Sequence, residues 1–193
     1  YWERKRFQSA GLTDVGHELM TLEQAGPDQV LVGSWIGPQA WTIQLDPVNP
    51  MMGASDTVPW TGAEGIDSFD DAIYTGDGEG YVATYAGVRR FRGNVAESVG
   101  GDDRNCTRLA KTESGAIWVG NDDFLGEIRD GAWTGREVAL NGRLLTGLTA
   151  QGNTLFAYQE GLVTAVDTKR LTSSTVVETQ SPTYGAVYFD PSG

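Results

Sequence analysis

An all-β fold of repeated four-stranded antiparallel units is what this sequence predicts, and three observations carry the prediction. The stretch GAIWVGNDDFLGEIRDGAW, residues 115–133, has an apolar run at 116–119 and a second at 125–128, then turns at Asp130-Gly131 into Trp133. Such short runs, bounded by Gly and Asp, are the mark of half-buried antiparallel strands joined by hairpins. The same phrase recurs as QVLVGS, GYVATY, AIWVGN and TLFAYQ, which aligns Leu31, Tyr81, Trp118 and Phe156 at intervals of 50, 37 and 38 residues. Turn-forming residues separate the runs at Gly26-Pro27-Asp28, at Gly76-Asp77-Gly78-Glu79-Gly80 and at Gln151-Gly152-Asn153. A spacing near 40 with four short strands per unit specifies a β-propeller.

Taken in order, YWERKRF at 1–7 matches AWTGREV at 132–138, with Trp second and an apolar residue seventh, and so predicts the outer strand of a preceding blade. The first full blade covers about 17–68, with strands at 17–23, 29–34 and 40–46. Its excess length lies in PVNPMMGASDTVPWTGAEGI, 47–66, whose three prolines oppose regular structure and predict a long surface loop or an embellished outer strand. Loops of this length are usually functional or disordered, so Met51, Met52 and Trp60 are candidate contacts, unless they fold back over the blade edge. The second blade, 69–104, has strands at 69–75, 81–85, 88–92 and 94–99, and Arg89, Arg90 and Arg92 are expected on a solvated strand face. The third, 105–143, is centred on the opening stretch. The fourth, 144–182, places strands at 145–150, 155–158, 162–167 and 174–178, and 183–193 begins a further blade. The pattern predicts an internal slice of a larger array, whose open faces are closed by other blades or by a second chain.

The net charge of −12 is concentrated in the first half: residues 7–88 contain twelve acidic residues and no Lys or Arg. A surface of this sign disfavours nucleic acid and anionic lipid headgroups. No apolar run reaches the roughly 20 residues that span a bilayer, so direct membrane insertion is not expected. A single Cys and a single His, Cys106 and His17, exclude a disulfide framework and a multi-histidine metal site, and both read as structural. His17 has no G-x-S-x-G companion, and the glycines of 76–80 serve a hairpin turn rather than a phosphate.

The phrase G-A-I-W-V-G followed by D-G-x-W resembles the repeats of sensor propellers of the two-component-regulator type, and more loosely WD-repeat and quinoprotein-like propellers. The motifs themselves are structural, with glycines for turns and a large apolar residue between blades. The resemblance implies an extracytoplasmic module that senses a ligand or binds a partner. Lys111 to Trp118 keeps the Gly and Trp of a sialidase-like Asp-box but has Lys and Glu where that box has Ser and Asp.

In a propeller, the connections from second to third strand emerge on the same face as those from an outer strand to the next inner strand. Here the first set carries Trp35, Tyr85, Asn121, Asp122, Asp123 and Glu160, and the second Asp102, Asp103 and Arg104. Together with Trp41 these are the candidate partner-binding residues. Carboxylates with an Asn suit a hard cation such as calcium, which takes six to eight oxygens; they equally suit a basic or sugar-like partner, or plain hydration. The expected function is a non-catalytic binding or scaffolding module that recognises a protein, glycan or small molecule through this face, with no cofactor required. The alternative is part of a glycan-active hydrolase or lyase whose carboxylate pair is completed by blades outside the chain.

Overall fold

The computed structural model describes residues 19–26, 29–34, 40–45, 54–59, 69–76, 78–99 and 104–178. Sixteen strands and no helix occur among them. β1 (Leu19–Gly26), β2 (Gln29–Ser34), β3 (Ala40–Leu45) and β4 (Ala54–Pro59) form one sheet, ordered β1-β2-β3-β4. β5 (Asp71–Gly76), β6 (Glu79–Thr84), β7 (Gly87–Arg92) and β8 (Val95–Ser98) form the second. The third contains β9 (Arg108–Lys111), β10 (Ile117–Gly120), β11 (Phe124–Arg129) and β12 (Ala132–Ala139). The fourth contains β13 (Leu145–Gln151), β14 (Thr154–Gln159), β15 (Leu162–Asp167) and β16 (Thr172–Glu178). All neighbours pair antiparallel in sequence order, as hairpin chemistry requires, and the inner strands β1, β5, β9 and β13 stand side by side.

The four recurring residues occupy one structural position. Leu31 pairs with Glu23 and Thr42, Tyr81 with Ile73 and Arg90, Trp118 with Ala110 and Glu127, and Phe156 with Thr149 and Ala165. Each is in the middle of its blade's second strand. The interval 47–66 contains β4, which pairs with β3 and ends at Pro59 opposite Trp41. A proline is tolerated there because an edge strand needs no donor on its open side. The stretches 1–7 and 183–193, His17, and the loop residues Met51, Met52 and Trp60 lie outside the described residues.

Period-two alternation divides the core into seams between sheets. On β6, Tyr81 and Ala83 face the third sheet and pack with Leu109, Ile117, Val119 and Ile128, while Val82 joins Phe69 and Phe91 on the other side. On β10 the split repeats: Ile117 and Val119 look back, and Trp118 looks forward onto Leu145, Leu155, Ala157 and Val166. Trp118 is 0% exposed. Two arginines of β7 share one face. Arg90, opposite Tyr81 in mid-strand, is 25% exposed and pairs with Glu79 at 2.7 Å, whereas Arg92, at the strand's end, is 70% exposed while also meeting Glu79. The expected solvated face is therefore only partly solvated, and position along the strand sets which of the two meets solvent.

Candidate binding face

The hairpins at 85–86, 121–123 and 160–161 open on the same edge of the blades as the connections at 104–107 and 140–144, and hydrogen bonds between them record it. The Cys106 N–H donates to the Thr84 carbonyl at 3.0 Å. The Thr84 hydroxyl donates to the Gly87 carbonyl at 2.8 Å and accepts from the Ala86 N–H at 3.1 Å, which fixes the two-residue turn displaying Tyr85 at 49% exposure. Asn121 donates through Nδ2 to the Asn105 carbonyl at 2.8 Å, and its Oδ1 accepts from the Asp123 N–H at 2.9 Å. That second bond closes an Asx turn at the tip of the β10–β11 hairpin, beside the bond from the Asn121 N–H to the Phe124 carbonyl at 3.2 Å.

Asp122 reaches across to the next blade. Its Oδ1 accepts from the Leu145 N–H at 2.6 Å, and its carbonyl accepts from the Gly142 N–H at 3.0 Å and from Gln159 Nε2 at 3.2 Å. The Asp123 carbonyl accepts from the Leu140 N–H at 2.7 Å. Gln159 Nε2 also donates to the Arg143 carbonyl at 2.8 Å, and Arg143 pairs with Glu178 at 2.9 Å. The Glu160 N–H donates to the Leu144 carbonyl at 3.0 Å. Arg104 lies over the Phe124 ring, 3.7 Å from its centroid, and pairs with Glu137 at 2.5 Å. A guanidinium held between an aromatic face and a carboxylate is a fixed cation at the rim.

The structure therefore brings Tyr85, Arg104, Asn121, Asp122, Asp123 and Glu160 to one edge. Trp41 sits in β3 between Val32 and Pro59. Trp35, Met51, Met52, Trp60, Asp102 and Asp103 lie outside the described residues. Among the described residues no group of three or more His, Cys, Asp or Glu side chains is placed to hold a metal ion. Cys106 is buried, its thiol directed to the Arg104 carbonyl at 3.2 Å.

Two residues of this edge escape sequence reasoning. Gln159 continues the inward stripe of Leu155 and Ala157 and is 2% exposed, so a polar residue ending an apolar stripe was the available signal. Asp71, one of 26 acidic residues in the chain, had no such signal. Its carboxyl bridges two inner strands: Oδ2 accepts from the Leu109 N–H at 2.8 Å and Oδ1 from the Ala72 N–H at 2.9 Å. Burial pushes its pKa up to about 6, against the downward pull of the two N–H groups and of the Arg108 charge. Arg108 continues the belt, donating through Nε to the Thr146 carbonyl of β13 at 3.0 Å.

At the opposite edge of the seam between the third and fourth sheets, Glu127 is 2% exposed and meets Arg129 at 2.9 Å, Arg136 at 3.2 Å and the Thr134 hydroxyl at 3.1 Å. Burial raises its carboxyl, but the hydrogen bonds from Arg129 and Thr134 and the Arg136 charge outweigh that and hold it below the ordinary glutamate value. Arg136 in turn donates to the Thr168 carbonyl, tying β12 to the end of β15. Both edges of this seam are thus clamped by polar groups around an apolar middle.

No protein-family model matches the chain, and no curated protein matches it. Solved structures do. A catalytically inactive form of virginiamycin B lyase from Staphylococcus aureus aligns with a TM-score of 0.68 at 16% identity, over 85% of this chain and 57% of the lyase. The Pan2 WD40 domain of Neurospora crassa aligns at 0.61 and 12% identity, over 81% of this chain and 48% of that domain. The extracellular domain assigned to a hybrid two-component system of B. thetaiotaomicron aligns at 0.64 and 17% identity, over 84% of this chain and 22% of that domain. The chain spans about half the length of the lyase and WD40 structures. These neighbours include an enzyme and a sensor domain, and at such identities they share with this chain the fold. The fold is that of a β-propeller, four blades of which are described here.

Proposed function

We propose that the chain is a non-catalytic recognition module that presents its loop face to a protein or glycan partner. The observation that carries this reading is the cross-tethering of the face: Asp122 spends a carboxylate oxygen and its carbonyl on holding the next blade's connection. Tyr85 and Asp123 remain exposed above that scaffold. A rigid frame carrying exposed polar and aromatic tips lowers the ordering cost of binding and fits the general use of loops on rigid scaffolds. The likeness to an extracellular sensor domain favours an extracytoplasmic setting. Calcium belongs to the same reading as a ligand for the acidic loops.

A second reading rests on Asp71. A carboxyl with a pKa of about 6 at the inner edge has the property of an acid or base group, and this would make the chain part of a glycan-active lyase or hydrolase. One experiment separates the two. The full-length protein is titrated with soluble oligosaccharides and with basic peptides, with and without calcium, while binding and product formation are followed together. Binding without turnover, weakened on the order of tenfold by Tyr85→Ala combined with Asp123→Asn, supports the recognition module, since about 1.4 kcal/mol is a factor of ten. Sustained product formation that disappears in Asp71→Asn overturns it in favour of the enzyme.

A further inference from the structure

At the edge opposite the loop tips, the seam between the second and third sheets opens into a cleft of about 310 Å3. The next seam shows why this one stays open. Tyr81 and Trp118 hold the same place in their blades, but Trp118 fills its seam, and Arg136 of β12 then crosses to the Thr168 carbonyl. Tyr81 is the smaller residue, and β8, Val95–Ser98, has no arginine to send across. At the inner end, Lys111 reaches over from β9 and donates to the Thr75 carbonyl at 3.1 Å. The floor of the cleft is apolar, made by Tyr81 and Ile117 and backed by Ile128.

Its walls carry charges of opposite sign. On the second sheet, Arg90 gives Nη2 to Glu79 at 2.7 Å, while Nη1 has only Glu97 at 4.0 Å, beyond hydrogen-bond distance, and keeps accessible surface. Glu79 is saturated, since each of its oxygens meets an arginine, Arg90 or Arg92. On the third sheet, Asp130 lines the cleft, is exposed, and makes no hydrogen bond or ion pair through its carboxylate to any described residue. Its backbone is fixed at the rim by a tight turn, with φ of 52° at Asp130 and 80° at Gly131, the type I′ pattern that Asp-Gly favours. Arg90 Nη1 lies beside Gly131, yet Arg90 pairs with Glu79 and Glu97 and not with Asp130. An open guanidinium nitrogen and a free carboxylate on opposite walls match a zwitterion. An anion alone would meet the repulsion of Asp130, and a cation alone that of Arg90. The volume stands at the lower limit of the roughly 300–1,000 Å3 typical of small-molecule sites, which restricts the occupant to a compact molecule.

We propose that this cleft binds a free α-amino acid with an apolar side chain, its carboxylate accepting from Arg90 Nη1, its ammonium donating to Asp130, and its side chain lying over Tyr81 and Ile117. The site is at the far edge from the loop tips and does not depend on the reading of that face. The test is calorimetric titration of the full-length protein with leucine and with phenylalanine, combined with amide-shift mapping. Each is run beside its analogue lacking the ammonium and its analogue lacking the carboxylate. At least one of the two amino acids is expected to bind, with shifts centred on Tyr81, Ile117 and Asp130, and its single-charge analogues to bind on the order of tenfold more weakly. Asp130→Asn, which the turn accepts, removes one charge without touching the core. It is expected to weaken amino-acid binding on the order of tenfold and to leave the deaminated analogue bound no more weakly than before. The proposal is overturned if neither amino acid binds, if a single-charge analogue binds as tightly as its parent, if Asp130→Asn binds the amino acids as well as the parent protein does, or if the shifts centre on the loop tips.

Discussion

Asp71 shows how one carboxyl can tie two inner strands together and make the fold's stability depend on pH. Burial pushes its carboxyl from the ordinary aspartate value of 3.8 up to about 6 in the fold, so the folded state favours the protonated form. The stabilisation is fully present below the unfolded value and is lost as pH rises through the folded one. Relative to Asp71→Asn, the parent is expected to lose up to about 3 kcal/mol between roughly pH 4 and pH 7. Urea unfolding of both proteins across that range checks this, and parallel pH profiles would refute it. Glu127 behaves oppositely, as a buried carboxylate held ionised by Arg129, Arg136 and Thr134. Glu127→Ala leaves those donors facing a buried gap and is expected to cost about 1–3 kcal/mol, discounted because both arginines are partly solvated. An unchanged unfolding midpoint would place the clamp outside the stabilising interactions.

Among the elements, the second strands carry the architecture. Trp118 on β10 fills the seam between the third and fourth sheets, and Trp118→Ala is expected to destabilise by about 3–5 kcal/mol. The register-equivalent Phe156, only partly buried, is expected to cost less on the same change. Gly120 ends β10 where a Cβ would come within 2.0 Å of the Phe124 carbonyl oxygen. That oxygen belongs to the backbone and cannot yield, so Gly120→Ala is expected to cost about 1–3 kcal/mol or more by overpacking, read as a lowered thermal midpoint. Much of this level was legible in the sequence. The strands at 29–34 and 162–167 coincide with β2 and β15, because alternation and flanking turns mark them locally. β4 was less legible, since its Ala-Ser-Asp-Thr-Val-Pro sequence becomes a strand only through pairing with β3.

For the molecule as a whole, the proposed function rests on tethers that link positions about one repeat apart. Asp71 and Leu109 are 38 residues apart, Arg108 and Thr146 also 38, and Asp122 and Gln159 37. Local pattern cannot reveal such pairs, because they exist only once blades stack in register. That is why the loop residues Asn121, Asp122, Asp123 and Glu160 could be assigned to one face from the sequence while their anchoring partners could not. The same tethers make the face rigid, and rigidity is what separates a preorganised recognition surface from a set of mobile loops. Native-state hydrogen exchange measures it directly. The loop amides of Cys106, Leu140, Gly142 and Leu145 are expected to exchange as slowly as those of the adjoining strands, since each donates to a carbonyl or carboxylate on another segment. Exchange of these four amides at the rate of unstructured loops, with the strands still protected, would contradict the preorganised face on which the proposed function stands.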